Sequence, residues 1–420
     1  MLIKNFDTLA ITPLRKKALQ IVETGLESIQ SSVVLSATVK NENDVLTMQN
    51  KKIKLTDYER IFVVGFGKGS AGICKYLENI LGEKLTNGWD IDLVDQTFSK
   101  IHYIKGTHPL PSQINIDFTE TVINELSELG KNDLVLVIIC GGGSALFESL
   151  AIPLEQLENL NQEMLRSGAT ISEMNIVRKH VSLVKGGGFA KILSPAKVVS
   201  LIFSDVPGND LSTIASGPTT MDMHTKEDAM KILEKYTLTA IKTEELIDLP
   251  KASEYFARVE NILVVSNQTA LTAMQEKAKE LGFSVRILTD KLQGNARELG
   301  KKLLDETQNK EVLLAGGEST LKVVGHGKGG RNQALILATL PFIKSDTIII
   351  AFDSDGMDYF GFAGAIGDSE TVEKAAKLQL NQQEFLDNDD SFHFFEKTQD
   401  GIDTGKLASN VSDIYLVIKE

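Results

Sequence analysis

Eight short apolar runs, separated in many places by segments of helical periodicity, constrain this chain more than any other feature. They are Ile61 to Val64, Leu134 to Ile139, Val198 to Phe203, Asn261 to Val265, Val285 to Thr289, Val312 to Ala315, Thr347 to Phe352 and Ile414 to Ile418. Runs this short and this continuously apolar read as strands buried on both faces, the pattern of a parallel sheet. Segments such as Ala270 to Leu281 and Ala296 to Glu306 supply helices between them, which gives an α/β fold with ligands at the carboxyl ends of the strands. At 420 residues the chain exceeds the size at which one core stops growing, so two domains are expected. The charged, helical stretch Met221 to Val259 separates two groups of strands. We place residues 1–235 in an N-terminal Rossmann-like domain and 236–404 in a second α/β domain, each with a mostly parallel sheet flanked by helices. The last run, within 405–420, is free to return to the first sheet, because chain ends often complete an earlier one.

Charge and composition remove several classes of function. A formal net charge of -13 argues against nucleic acid as a partner, so an anionic ligand needs a local basic site. No stretch approaches the roughly 20 apolar residues of a membrane span, and the first residues carry no apolar leader, which points to the cytoplasm. Cys74 and Cys140 sit in apolar surroundings without CxxC spacing and read as buried thiols. The oligomeric state is left open, a homodimer included.

Three glycine-rich turns follow apolar runs: Gly65-Phe66-Gly67-Lys68-Gly69-Ser70, Gly141-Gly142-Gly143-Ser144, and Gly316-Gly317-Glu318-Ser319-Thr320. Backbone without side chains lets a phosphate approach N–H groups closely, and a helix starting after the turn adds its partial positive charge. Gly67, Gly69, Ser70, Gly141, Gly142, Gly143 and Ser144 are therefore candidate phosphate or substrate ligands, with Lys68 as a cation among them. The first turn is not a dinucleotide fingerprint, since Ser70 replaces the third glycine and Asp95 lies beyond the usual acid position; no Walker A motif occurs either. Ser144 lacks the elbow of a serine nucleophile. A fourth cluster, Gly325 to Gln333, sets Arg331 and Asn332 beside flexible backbone, a setting for charge stabilisation in phosphoryl transfer. Between Ser172 and Lys185, helical spacing puts Asn175, Lys179 and Ser182 on one face, with Arg178 nearby as a further ligand candidate. Asp205 ends a strand, where a carboxylate can hold Mg²⁺ or accept a hydroxyl proton. Glu318, Asp353, Asp355 and Asp358 follow strands in the second half, and Asp355 joins Asp205 as a candidate metal ligand.

These segments resemble the glycerate 2-kinases of the MOFRL family, often named hydroxypyruvate reductases. The resemblance runs through Gly67 to Ser70, Thr107-His108-Pro109-Leu110-Pro111, Cys140 to Leu146, Ser172 to His180, Ser204-Asp205-Val206, Ala215 to Thr219, Gly316 to Thr320 and Gly329 to Gln333, nearly the whole chain. It implies ATP-dependent phosphorylation of D-glycerate on its 2-hydroxyl with Mg²⁺, giving 2-phosphoglycerate, with the active site in the cleft between two α/β domains, and it implies that Lys68 and Arg331 are essential. The glycerate carboxylate is expected on Ser144 and the preceding glycine amides, or on Arg178. Two segments depart from the family's pattern: Ser354 to Phe362 lacks a later acid, and Thr404 to Val411 carries Lys-Leu-Ala-Ser in place of a Pro-Thr-Gly-Thr run. The alternatives are an NAD(P)H-dependent hydroxypyruvate reductase, for which the fingerprint is lacking, and a non-catalytic sugar-phosphate-binding protein.

Overall fold

All eight apolar runs lie in strands of the structure, a computed structural model of residues 1–420. In chain order the strands are β1 (Val39–Glu42), β2 (Val45–Met48), β3 (Lys51–Lys54), β4 (Arg60–Phe66), β5 (Asn87–Asp92), β6 (Ile101–Lys105), β7 (Asp133–Ile139), β8 (Lys197–Phe203), β9 (Val259–Val265), β10 (Ser284–Asn295), β11 (Glu311–Thr320), β12 (Thr347–Asp353), β13 (Gly364–Gly367), β14 (Gly401–Ile402) and β15 (Asp413–Lys419). The chain folds into two α/β units. Leu35–Ser204 and Asn209–Val264 form a parallel-sheet unit; Met1–Val34, Asp205–Gly208 and Val265–Glu420 form a second, which holds both chain ends and is called the terminal unit below.

The parallel-sheet unit is built on six strands in the order β6-β5-β4-β7-β8-β9, with β1 to β3 as a separate antiparallel sheet. Strands β4 to β8 pair in parallel, and every residue of β7 is buried. Continuous apolarity thus marks burial on both faces, as expected of crossover-covered strands. The order reverses between β4 and β7, so the turns after these two strands leave the sheet on either side of a switch point, where a crevice forms. That is where Gly65 to Ser70 and Gly141 to Ser144 are found.

The terminal unit corrects two expectations and decides the place of the last strand, which the sequence leaves open between the two domains. Its sheet, in the order β10-β11-β15-β12-β13-β14, is mixed: only β10 and β11 pair in parallel, and β15 inserts antiparallel between β11 and β12. The last strand therefore completes this sheet and not the first one, with Tyr415 opposite both Ala315 and Ala351. The division also does not fall at residue 235, since β9 edges the parallel sheet, while the first helices join the terminal unit. The helix Pro13–Ser28, capped by Thr12 and opened by Pro13, packs its Gly25 against Met274 of the helix Asn267–Glu280. Its Arg15 is wholly buried, bonded to Asp368 at 2.6 Å through both Nε and Nη2, and to Asp400 at 2.7 Å. Arg15 was not legible as a structural residue because its partners lie more than 350 residues away.

Candidate active site

The first glycine turn is not a phosphate cradle. Its N–H groups are consumed within the unit: Gly67 donates to Ile91 O, Lys68 to Gly141 O, and Gly69 and Ala71 to the Asp92 carboxylate at 3.0 and 3.1 Å. Asp92, at the end of β5, thus sits as an internal anion on the N-terminus of the helix Ser70–Leu81. Burial raises its carboxyl above the usual range while those amides pull it back. Ser70 is fully buried and donates to Asp90 at 2.7 Å, and burial pushes the Asp90 carboxyl up to about 7. Gly67, Gly69 and Ser70 accordingly shape the turn and do not face a ligand. Lys68 is open to one: its side chain is exposed, and no carboxylate lies within ion-pair distance.

The second turn is different. Its own hydrogen bonds use the N–H groups of Gly143 and Ala145, and none uses those of Gly141, Gly142 or Ser144. Gly142 has φ +78°, and a Cβ there would meet the His108 ring at 3.1 Å and Lys68 Cε at 3.4 Å. A side chain would therefore be strained and would also fill the space where the turns after β4, β6 and β7 converge. Beneath the turn, Phe66 stacks on Phe147 at 4.3 Å, and Phe147 meets Phe189 edge-on at 4.8 Å. Ser144 Oγ lies 2.8 Å from Ser216 Oγ. Ser216 and its neighbour Ala215 both hold positive φ, 62° and 47°, a strained pair beside the turn. The segment Ser216 to Thr219, one of those that carry the family resemblance, thus places Ser216 on the cavity wall.

These groups line a cavity of about 250 Å³ with His108, Glu148, Asn161, Asn175, Arg178, Lys185, Thr213 and Ser216 on its walls. The structure therefore brings Ser144, Asn175 and Arg178 together, as expected. Arg178 Nε donates to Asn161 Oδ1 at 2.7 Å, yet the guanidinium has no carboxylate partner, and burial holds its pKa below the ordinary arginine value. Lys185, in contrast, is paired with Glu148, whose other oxygen accepts from Ser182. Lys179 does not face the cavity: it is buried, bonded to Asp222 and, at 2.8 Å, to Ser212 O. The helix ends at Lys179, so the expected face shared by Asn175, Lys179 and Ser182 does not form. Lys179 instead anchors the chain around Ser212 and Asp222, and this pairing holds the Asp222 carboxyl down at about 2.

In the terminal unit the third glycine segment is not a turn at all. Gly316 to Thr320 continue β11, where Gly317 pairs with Leu292 and Asp413, and a Cβ on Gly317 would lie 2.1 Å from Leu292 O. Close strand packing, not anion binding, requires that glycine. Arg331, first residue of the helix Arg331–Thr339, forks onto Asp413 at 2.8 and 3.0 Å, bonds Glu318 at 2.7 Å and reaches Asp353 at 3.4 Å. Glu318 is thus an ion-pair partner of Arg331. Asn332 is wholly buried and donates to Asp413 at 2.7 Å, so it holds the cluster together and is not placed to meet a ligand. Asp358 caps the same helix, accepting from Asn332 N and Gln333 N at 3.1 and 2.8 Å; burial pushes its carboxyl up to about 7. Asp205 is grouped with this unit and accepts a hydrogen bond at its carbonyl from Ser412, the residue before Asp413. The two departing segments meet here: Leu407 N donates to Asp355 O at 2.6 Å, Val411 N to Ser354 Oγ at 2.7 Å, and Gly356 lies against Gly405.

Comparison with known proteins agrees with this architecture. A model of a domain of unknown function, DUF4147, matches residues 17–248, and the model of the MOFRL family matches residues 311–413. The chain is 32% identical to the D-glycerate 2-kinase of Thermotoga maritima, over 96% of this chain and 98% of that one. It is 33% identical to the glycerate 2-kinase of Pyrococcus horikoshii, with coverage of 96% and 98%. A crystal structure of glycerate kinase from Thermotoga maritima superposes with a TM-score of 0.86, 32% identity and coverage of 96% and 99%. No helix is long and apolar enough to cross a membrane. With this likeness extending over both units, the chain belongs to the MOFRL family of glycerate 2-kinases.

Proposed function

We propose that this chain transfers the γ-phosphoryl group of ATP to the 2-hydroxyl of D-glycerate, giving 2-phosphoglycerate and ADP. The observation that carries the reading is the cavity at the switch point, which holds a half-buried guanidinium without a carboxylate partner beside turn amides not used in the turn's own hydrogen bonds. Its volume of about 250 Å³ is small even by the standard of ligand pockets, which run from roughly 300 Å³ upward, and suits a three-carbon acid. Arg178 takes the carboxylate as a two-pronged donor, with Ser144 and the amides of Gly141 and Gly142 beside it. Lys68, exposed at the convergence of three turns, is the cation assigned to the transferring phosphoryl group. Arg331 is assigned to phosphate charge as well; of its partners Glu318 is the most exposed, at 46%, and is the one that yields its place.

Mg²⁺ fits the acids of the terminal unit. Glu318, Asp353 and Asp413 share one guanidinium, and burial, then the charges of Asp413 and Asp355, raise the Asp353 carboxyl well above the usual range, as expected where several acids crowd one cation and a second cation would be welcome. No three carboxylate, imidazole or thiol groups converge into a ready metal cage, which accords with an ion that keeps waters and phosphate oxygens as ligands. Asp205 and Asp355 are the residues assigned to hold it. When bound, Mg²⁺ neutralises charge on the phosphate oxygens.

A dinucleotide-dependent reductase fits poorly. In such enzymes the pyrophosphate uses the helix N-terminus after the first strand. Here the Asp92 carboxylate already occupies it. The test is turnover of D-glycerate, ATP and Mg²⁺ with enolase-linked detection, in which only 2-phosphoglycerate gives a direct signal. ADP release without that signal rejects the substrate or the 2-position. Absence of ADP rejects the kinase.

A further inference from the structure

With Asp205 assigned to Mg²⁺ rather than to the hydroxyl proton, the kinase reading leaves one chemical task without a residue, acceptance of the proton that the substrate hydroxyl loses. The cavity holds two side chains able to accept it, Glu148 and His108. Glu148 is 1% exposed and both of its oxygens are engaged, one by Ser182 and one by Lys185. Protonating it would leave Lys185 as an uncompensated buried charge. His108 is under no such constraint. Its ring lines the cavity and lies against Gly142, with Nε2 at 3.2 Å from the position of a Cβ there, on the side where Lys68 Cε also approaches. Its side chain takes part in no hydrogen bond or ion pair within the protein. An imidazole without internal partners, beside the lysine assigned to the phosphoryl group and in the same cavity as the carboxylate-binding arginine, is placed to meet the hydroxyl of the acid.

We infer that His108 is the proton acceptor of the phosphoryl transfer. This rests on the kinase reading. The substrate O–H bond breaks with its proton passing to an imidazole nitrogen, the oxygen's electron pair forms the new O–P bond, and the bond from the γ-phosphorus to the bridging oxygen breaks with its pair leaving on ADP. The imidazolium then releases its proton to water. Burial and the charge of Lys68 hold the His108 pKa below its ordinary value, so the ring is neutral near pH 7 and ready to accept. The other charged groups around the cavity are Arg178, Lys185 and Glu148, two cations and one anion, which favour the neutral ring in the same direction.

The test compares the wild-type protein with His108→Gln and His108→Ala in the enolase-linked assay across pH. In the wild type, kcat/KM for D-glycerate, which reports the ligand-free enzyme, falls on an acid limb with its midpoint below about 6.5, the free imidazole value. In both variants kcat falls by about 10²- to 10³-fold, the acid limb disappears, KM for D-glycerate stays near the wild-type value, and added imidazole restores part of the His108→Ala rate. A wild type that forms no 2-phosphoglycerate overturns the kinase reading together with this one. An active wild type without an acid limb below that value overturns the role of His108 alone, whatever the variants do. So does wild-type kcat in either variant, or a defect confined to KM.

Discussion

Replacing Arg178 by methionine separates ligand binding from folding, because the structure gives the guanidinium little to do for the fold. Its internal bond is the one from Nε to Asn161 Oδ1, it has no carboxylate partner, and burial disfavours its charged form. A half-buried cation without a carboxylate partner adds little to stability, so a methionine of similar length is expected to leave thermal stability near or above the wild-type level. Binding is another matter. A bidentate guanidinium–carboxylate contact comprises two charge-assisted hydrogen bonds of about 1.5–3 kcal/mol each, partly offset by desolvation of the ligand, so about 3 kcal/mol net is at stake. At 1.36 kcal/mol per tenfold, that is roughly a 150-fold weaker Kd for D-glycerate. Lys185 cannot take over, since Glu148 holds its ammonium. The assay is calorimetric titration of D-glycerate into both proteins, with a melting curve of each. An unchanged Kd, or weak binding accompanied by clearly earlier melting, refutes the reasoning: the first because the carboxylate lies elsewhere, the second because Arg178 is then structural.

Lys68→Ala and Arg331→Ala are each expected to lower kcat by about 10³-fold in the enolase-linked assay, and near-wild-type turnover in either would remove that residue from the chemistry. Arg15→Met strips Asp368 of its buried cation while Asp400 keeps Lys374, so urea unfolding should show a loss of about 3–5 kcal/mol; a change below about 1 kcal/mol would contradict the attachment of the first helix to the terminal unit. Asp90 gives a pH effect of defined sign. Its carboxyl sits at about 7 in the fold against about 3.9 in the unfolded chain, so the folded state binds more protons between those values, and its contribution to stability, full below about pH 4, is lost as pH rises through about 7. Asp90→Asn should therefore gain stability over wild type at pH 8 compared with pH 5, read as urea midpoints, and equal shifts in both proteins would discount the buried carboxyl.

Six of the eight apolar runs, those in β4, β7, β8, β11, β12 and β15, were legible because burial on both faces leaves few polar positions to obscure them, whereas β9 and β10, half-buried at the sheet edges, were legible from their apolar runs alone. β5 was not, although it lies next to β4 in the centre of the same sheet: its Asn87–Asp92 sequence carries two acids, and both are employed inside the unit, Asp90 under Ser70 and Asp92 on the turn amides. Lys179 and Arg178 show a second limit. Adjacent on one helix, they point about 100° apart, so spacing alone says that one faces in, but the partner that decides it, Asp222, is 43 residues further on. β15 shows a third, since a terminal strand carries nothing in its own sequence to say which sheet edge or gap it enters.

The glycine clusters mark where local sequence stops and tertiary structure takes over. Glycine permits positive φ, close packing and exposure of amides, and a sequence does not say which of these is used. Gly317 serves packing against Leu292, and Gly142 serves an open space against His108. The first and second turns both follow buried strands at the switch point and both open helices, yet one is closed and the other open. The difference is a single carboxylate, Asp92, delivered by a neighbouring strand to the amides of Gly69 and Ala71. With those amides saturated, the first turn contributes only its lysine, whose backbone N–H is fixed on Gly141 O of the second turn. On our reading the anion-binding capacity thus falls to the second turn, beside Arg178, and the backbone bond from Lys68 to Gly141 holds the lysine we assign to the phosphate and the cavity we assign to the acid in one register.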